Sequence, residues 1–412
     1  MISSEATQLS APSRWSDKAA RSLVLSVMGQ LRSGGLILTE PDGTRHEFGT
    51  LDGTLTGQVV VHHAGFFQRV LRGGSIAAGE SYMDGWWDSP DLTQVVRVLA
   101  ANLAVLDQLE ARVGWAVKLK DQLTHRFRRN HQRQAQQNIA AHYDLGNELY
   151  RRFLDHNMLY SSALYVSGDE DLAQAQINKM DRLCQLLRLQ PEDHLLEIGT
   201  GWGAMAIHAA QHYGCRVTTT TISKEQHAWA KDKIAQAGLS DRITLLLQDY
   251  RDLTGHYDKL VSVEMIEAVG KEYLDTYVAK CQSLLKPEGL MALQSITIAD
   301  QRDASYSRGV DFIQKYIFPG GFLPSLTRLN RTLTQHSDFV VRDLRDMGMD
   351  YAQTLRDWHQ GFNHSVEELK TLGYDERFIR MWRYYLSYCE GGFAERTVSA
   401  VQLLLSRPGW RS

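Results

Sequence analysis

The chain predicts an α/β fold: a mostly parallel sheet with helices on both faces, preceded by a smaller α+β module. Three observations point there. From residue 194 onward, short β-branched and apolar runs alternate with helical patterns. The run His194-Leu-Leu-Glu-Ile-Gly-Thr-Gly-Trp-Gly203 reads as a buried strand ending in a glycine turn that opens a helix at 202–213. Residues 34–74, by contrast, hold short alternating runs broken by glycine. A length of 412 residues makes two domains the expectation.

The elements follow in order. Leu36-Ile-Leu38 and Val59-Val-Val61 suggest a small β-rich module, closed by Gly79-Glu-Ser-Tyr-Met-Asp-Gly-Trp-Trp-Asp88. A helical stretch then completes an N-terminal module over 1–109. A linker at 110–134 clusters Lys118, Lys120, Arg126, Arg128, Arg129 and Arg133, with Leu119, Leu123 and Phe127 interleaved. It reads either as a segment lying on an anionic membrane surface or as a solvated helix face. The remainder, 135–412, begins with an aromatic-rich amphipathic helix and a loop. After the glycine turn comes a strand at 215–222. Ser223 and Gln226 have the spacing of a capping box, and Gly238 closes the helix they open. Strands at 243–247 and 259–263, a helix at 271–285, the turn Lys286-Pro-Glu-Gly289 and a strand at 290–298 complete the alternation.

In such sheets ligands bind beyond the carboxyl ends of the strands. Gly199, Gly201, Gly203, Thr221, Asp249 and residues 264–267 all fall at such ends. The strand at 215–222 lacks the terminal acid that binds ribose in dinucleotide folds, whereas Glu197 lies inside the glycine motif. That placement suits a cationic cofactor such as S-adenosylmethionine better than a pyrophosphate. Taken alone, the glycine pattern also fits an ordinary tight turn, and Asp249 also fits a helix cap.

Composition narrows the classes. The net charge of −3 gives no global case for nucleic acid. The four cysteines (Cys184, Cys215, Cys281, Cys389) show no metal-ligand spacing and read as reduced thiols of a cytosolic protein. Residues 1–20 lack the apolar core of a signal peptide, and no run reaches the roughly 18 apolar residues of a membrane span. The expectation is a soluble or peripherally attached protein.

Several long motifs occur together in one order. They are His142-Tyr-Asp-Leu-Gly-Asn-Glu-Leu-Tyr150, Phe153-Leu-Asp-His-Asn-Met-Leu-Tyr-Ser-Ser-Ala-Leu-Tyr165, the glycine turn, Thr221-Ile-Ser-Lys-Glu-Gln226 and Leu247-Gln-Asp-Tyr-Arg-Asp-Leu253. Met265-Ile-Glu-Ala-Val-Gly270 and Lys315-Tyr-Ile-Phe-Pro-Gly-Gly-Phe-Leu-Pro-Ser325 follow. With them the chain resembles the cyclopropane-fatty-acyl-phospholipid synthase family over nearly its whole length. The resemblance implies a class I methyltransferase with a Rossmann-like sheet. The N-terminal module would face lipid and pair subunits into a homodimer, and the protein would be cytoplasmic and peripheral on the inner membrane leaflet. The implied reaction carries a methyl group from S-adenosylmethionine to the cis double bond of a phospholipid acyl chain. The resulting carbocation loses a proton and closes to a cyclopropane.

Residue by residue, the resemblance assigns cofactor contacts to Tyr160, Ser161, Gly199, Gly201, Thr221, Gln226 and Asp249, with Glu197, Gly203, Ile222 and Tyr250 in the same loops. Glu267 matches a glutamate that holds bicarbonate as proton acceptor. Tyr351 matches a tyrosine at that ion, and Ile296 a backbone contact to it. Three positions depart: Ser162 stands for a cysteine, and Ala268 and Gln294 for histidines. Serine and glutamine still donate hydrogen bonds to an anion but supply no imidazole. The ion site is therefore expected to be altered, which leaves open a methyl-branched or methylene product, and a small soluble substrate is a further alternative. Aromatic faces suited to a cation are Tyr306, Phe312, Tyr316, Phe318, Phe322, Trp382, Tyr384, Tyr385 and Tyr388.

Overall fold

The computed structural model describes residues 14–107 and 146–411, with side chains from residue 17 on. The basic linker and residues 142–145 lie outside the described residues. The chain divides into two compact units, Met1–Leu119 and Lys120–Ser412.

In the first unit, α1 (Arg14–Met28) precedes the strands β1 (Gly35–Thr39), β2 (Arg45–Gly49) and β3 (Thr56–Val61). Then come α2 (Phe66–Met83), the short β4 (Trp87–Asp88) and α3 (Leu92–Ala101). The sheet order is β2-β1-β3-β4, with β1 and β3 parallel. The β-rich reading of 34–74 holds only to Val61. Residues 66–83 are helical on either side of Gly74 despite their glycines, with Phe66, Phe67, Ile76, Tyr82 and Met83 buried. Gly74, at φ 56 and ψ −141, kinks this helix. The unit is pinned by Asn102, only 4% exposed. Its Oδ1 accepts from Arg32 N (2.8 Å) and Ser33 N (3.1 Å), and its Nδ2 donates to Ser33 O and Val98 O (both 2.8 Å).

The second unit holds a seven-stranded sheet of order β10-β11-β9-β8-β5-β6-β7. These strands are β5 (His194–Ile198), β6 (Arg216–Thr221), β7 (Ile243–Leu247), β8 (Tyr257–Val263), β9 (Leu285–Ile298), β10 (Val340–Asp346) and β11 (Val398–Ser406). β5 to β9 run parallel, and β11 enters antiparallel between β9 and β10. Neighbours on β5 face opposite ways, as strand period 2 requires. Leu196 and Ile198 join a core with Tyr277, Leu293 and Leu403, while Leu195 joins another with Val217, Val261 and Ala292. Strand order reverses between β5 and β8, the crevice where such sheets bind ligands.

Two elements differ from expectation. The helix read at 271–285 opens with a 3-10 turn, Lys271–Tyr273, before Leu274–Leu284. The turn at 286–289 does not separate two elements: β9 begins at Leu285 and absorbs it as a bulge, where the register jumps from Tyr257↔Leu285 to Lys259↔Leu290. All four cysteines are free, three of them buried.

Replacing Asn102 with alanine strands two backbone N–H groups. Urea denaturation of Asn102→Ala is expected to show the N-terminal unit destabilised by ~2–4 kcal/mol. A loss below ~0.5 kcal/mol would contradict this account.

Candidate active site

The glycine turn follows β5 directly. Gly199, Gly201 and Gly203 have φ of 103°, 54° and 98°, a region open to glycine and strained for other residues. The turn hangs on β6, since Gly199 N and Thr200 N both donate to Thr220 O (3.1 and 3.0 Å). A Cβ on Gly201 would meet nothing within 4 Å, so the loop borders open space. Glu197 lies beneath it, 2% exposed, accepting from Thr219 Oγ1 at 2.6 Å; that hydroxyl also bonds Thr200 Oγ1 at 2.7 Å. Trp202 donates to Asn147 Oδ1 (2.8 Å) and packs on Tyr150, which ties the short helix Asn147–Tyr150 to the turn.

At the next strand end, Ser223 Oγ accepts from Gln226 N (3.2 Å), the forward half of the predicted capping box. The side chain of Gln226 turns instead to Thr221, whose Oγ1 donates to Gln226 Oε1 at 2.8 Å. Ile222 lies between them, half-buried. Asp249 caps the 3-10 turn Tyr250–Asp252 and holds the Arg251 guanidinium with both oxygens (2.8 and 2.7 Å). Tyr250 packs into the core against Tyr277. Glycine turn, Thr221, Gln226 and Asp249 thus share the carboxyl edge of the sheet. This open, backbone-lined edge fits S-adenosylmethionine.

The second half of the site gathers at the end of β8. Glu264 takes φ 48°, left-handed for a non-glycine residue. Its Oε1 accepts from Ser162 N and Gln294 Nε2, both at 2.9 Å, and its Oε2 from Tyr351 Oη at 2.8 Å. Gln294 Nε2 also reaches Ser162 O (3.2 Å), and Gln402 Nε2 donates to Gln294 Oε1 (2.9 Å), which fixes the amide orientation. Lys179 is fully buried in the helix Leu172–Leu186, with its ammonium on Ser161 Oγ at 2.7 Å. Burial pushes Lys179 down to about 8, against the pull of Glu264 and Asp155. Burial raises Glu264 too, and Gln294, Ser162, Lys179 and Tyr351 counter it.

Glu267, three residues on, accepts from Ile296 N, and its Oε2 finds no partner among the described residues. Burial first, then the neighbouring Glu264, push it up to about 8. By resemblance Glu267, Tyr351 and Ile296 are assigned to a bicarbonate ion, with Ser162 and Gln294 at positions where the family has cysteine and histidine. Ser162 N, Gln294 Nε2 and Tyr351 Oη instead all serve the Glu264 carboxylate. An anion set between them would lie against a carboxylate, so this arrangement does not fit bicarbonate.

An aromatic wall adjoins this floor through Tyr351, whose ring lies 6.0 Å from that of Trp358. The Tyr160 ring lies 5.2 Å from Trp358 and 6.1 Å from Phe318, and its hydroxyl is 2.8 Å from that of Tyr385. Tyr351 stacks on Phe393 at 4.4 Å. Of the aromatics expected here, Phe318 and Tyr385 join the wall, and Trp382 packs behind Tyr385. Phe312, Tyr316, Tyr384 and Tyr388 form a separate cluster, and Tyr306 packs on Phe322. Trp358 and Phe393 were not foreseen. Trp358 was readable in one respect: Tyr351, Thr354 and Trp358 lie on one stripe of the helix Gly348–His364. Thr354 Oγ1 accepts from Ala163 N (3.0 Å), so this stripe holds the loop that carries Tyr160 to Ser162.

Residues 130–403 match the family described as mycolic acid cyclopropane synthetase. The chain belongs to that family. It is 39% identical over 374 residues to the tuberculostearic acid methyltransferase of Mycobacterium tuberculosis, covering 87% of each chain. It is 38% identical over 358 residues to the cyclopropane-fatty-acyl-phospholipid synthase of Escherichia coli K12, covering 87% of this chain and 90% of the relative. A crystal structure of a mycolic acid cyclopropane synthase complexed with SAH and CTAB superposes with TM-score 0.62 at 29% identity, over 66% of this chain and 98% of that one. The protein is thus an S-adenosylmethionine-dependent methyltransferase of the cyclopropane synthetase family, with the class I fold.

Glu197 and Glu267 yield a pH prediction. Each is pushed by burial from an ordinary 4.5 up to about 8. The folded state holds these protons more tightly than the unfolded chain. Their stabilisation is therefore complete below about 4.5 and is lost as pH rises through about 8, at up to ~1.4 kcal/mol per pH unit and group. Urea denaturation between about pH 5 and 8 is expected to show this decline, and a shallower one in Glu267→Gln, which cannot ionise. Equal slopes in both proteins would refute the assignment for Glu267.

Proposed function

We propose that the protein methylates the cis double bond of an unsaturated phospholipid acyl chain and that the product closes to a cyclopropane. The observation that carries this reading is the cluster of Tyr160, Trp358, Phe318 and Tyr385, joined through Tyr351 to the Glu264 carboxylate. S-adenosylmethionine supplies an electrophilic methyl group when bound. An alkene is a weak nucleophile, and its methylation leaves positive charge on carbon. Electron-rich ring faces and the Glu264 carboxylate stabilise that charge, and the apolar wall keeps water from trapping it. The Tyr160 loop, held by Thr354 from one side and by Gln176 and Lys179 from the other, sets the distance between cofactor edge and wall.

A second reading, a methyl-branched or methylene chain without a ring, is favoured by the same floor. Glu264, Ser162 and Gln294 there replace the anion, thiol and imidazole that the resemblance implies. Relatives of near-equal identity bear both kinds of name. No helix among the described residues is long and apolar enough to cross a membrane. On the proposed reading the protein meets the inner leaflet peripherally from the cytoplasm, as a homodimer paired through its N-terminal unit. That part rests on the family resemblance.

The test is incubation with S-adenosylmethionine and vesicles of cis-monounsaturated phospholipid, followed by proton NMR of the extracted chains. Upfield ring protons are the expected result, and branched-methyl or methylene signals would establish the second reading. Unchanged acyl chains would refute both. In the same assay Trp358→Leu is expected to lower kcat about 2- to 30-fold, the equivalent of a ~0.5–2 kcal/mol cation–π contact, with cofactor affinity unchanged. A full-rate variant would remove Trp358 from the wall's role.

A further inference from the structure

We infer that Glu264 is the resident proton acceptor of this reaction, its own carboxylate standing where the resemblance places a bicarbonate ion. The inference rests on the lipid methylation proposed above. Three donors from three separate segments converge on this one side chain: a loop amide at Ser162, a strand amide at Gln294 and a helix phenol at Tyr351. A carboxylate presents the same planar pair of oxygens to such donors as a carbonate-type anion does. The chain has glutamate here at a left-handed φ of 48°, a conformation strained for any residue but glycine. Gln402 holds the Gln294 amide so that its N–H, and not its carbonyl, meets Glu264.

The two neighbouring carboxyls divide the work. Glu264 has three donors and the buried Lys179 cation to sustain its charge. Burial first, then the neighbouring Glu264, push Glu267 up to about 8, against the backbone N–H groups of Ile296 and Glu267 itself and the Ser295 side chain. Of the two, Glu264 is the carboxyl provided with donors and a nearby cation for its charged form, although burial raises it as well. After methyl transfer, a C–H bond of the transferred carbon breaks. Its electron pair forms the ring C–C bond, or the C=C bond of a methylene product. The proton forms an O–H bond on Glu264, so cation and carboxylate end as neutral lipid and carboxylic acid.

The experiment compares the full-length protein with Glu264→Gly. Glycine accepts the left-handed φ without strain and leaves the three donors facing an anion-sized space. In carbonate-free buffer the unsubstituted protein is expected to turn over within about twofold of its rate with bicarbonate added. Glu264→Gly is expected to lose about 10²- to 10⁴-fold, the range of a missing general base, and to regain part of it with bicarbonate. A second readout needs no turnover: the ¹³C-bicarbonate NMR line should broaden with Glu264→Gly and stay sharp with the unsubstituted protein. Bicarbonate-dependent turnover of the unsubstituted protein, broadening by it, or full-rate turnover of Glu264→Gly would each overturn the inference. If no lipid product forms with either protein, the lipid reading fails, and the NMR comparison still decides what fills the site.

Discussion

A carboxylate cannot be drawn into the interior of a protein unless donors and a counter-charge accompany it. Glu264, at the end of β8, imposes that requirement on its surroundings. The loop at 160–164, the middle of β9 and the helix Gly348–His364 must each deliver one N–H or O–H to within 2.9 Å. Gln294 is in turn set by Gln402 from the antiparallel strand β11, directly opposite in register. The loop is held from behind by Gln176 and Lys179 of a fourth segment. Elements far apart in the chain are thereby positioned by one half-buried carboxyl group.

The same arrangement separates two tasks across the switch point. Under the proposed function, Gly199 to Gly203, Thr221 and Gln226 would offer backbone and small polar groups to the cofactor at the ends of β5 and β6. In the proposed reaction, the ends of β8 and β9 and the C-terminal helices would offer charge and ring faces to the reacting chain. A class I sheet supplies the first task in many methyltransferases. What is particular to this chain lies in the second, where an alkene substrate asks for cation stabilisation and dryness together.

Local patterns made the first half legible. A strand with period 2, a turn needing positive φ and a Ser223 cap are written in consecutive residues, and each was recovered. The bulge at 286–289 was not, because Pro287 and Gly289 signal a turn whether the chain reverses or only shifts register. Helix Phe66–Met83 was missed because its glycines masked the spacing of Phe66, Ile76 and Met83. Glu264 was placed at a strand end without a role. Its partners lie 102, 30 and 87 residues away, and only folding brings them together. Trp358 and Phe393 escaped for the same reason, since an aromatic side chain declares its partner only in three dimensions.

The most direct measurement is a crystal structure with S-adenosylhomocysteine bound, grown in bicarbonate buffer. The account predicts the Glu264 carboxylate within hydrogen-bond distance of Ser162 N, Gln294 Nε2 and Tyr351 Oη, with the cofactor's sulfur facing the Tyr160–Trp358 wall. A separate planar anion held by those three donors, with Glu264 turned away, would contradict it.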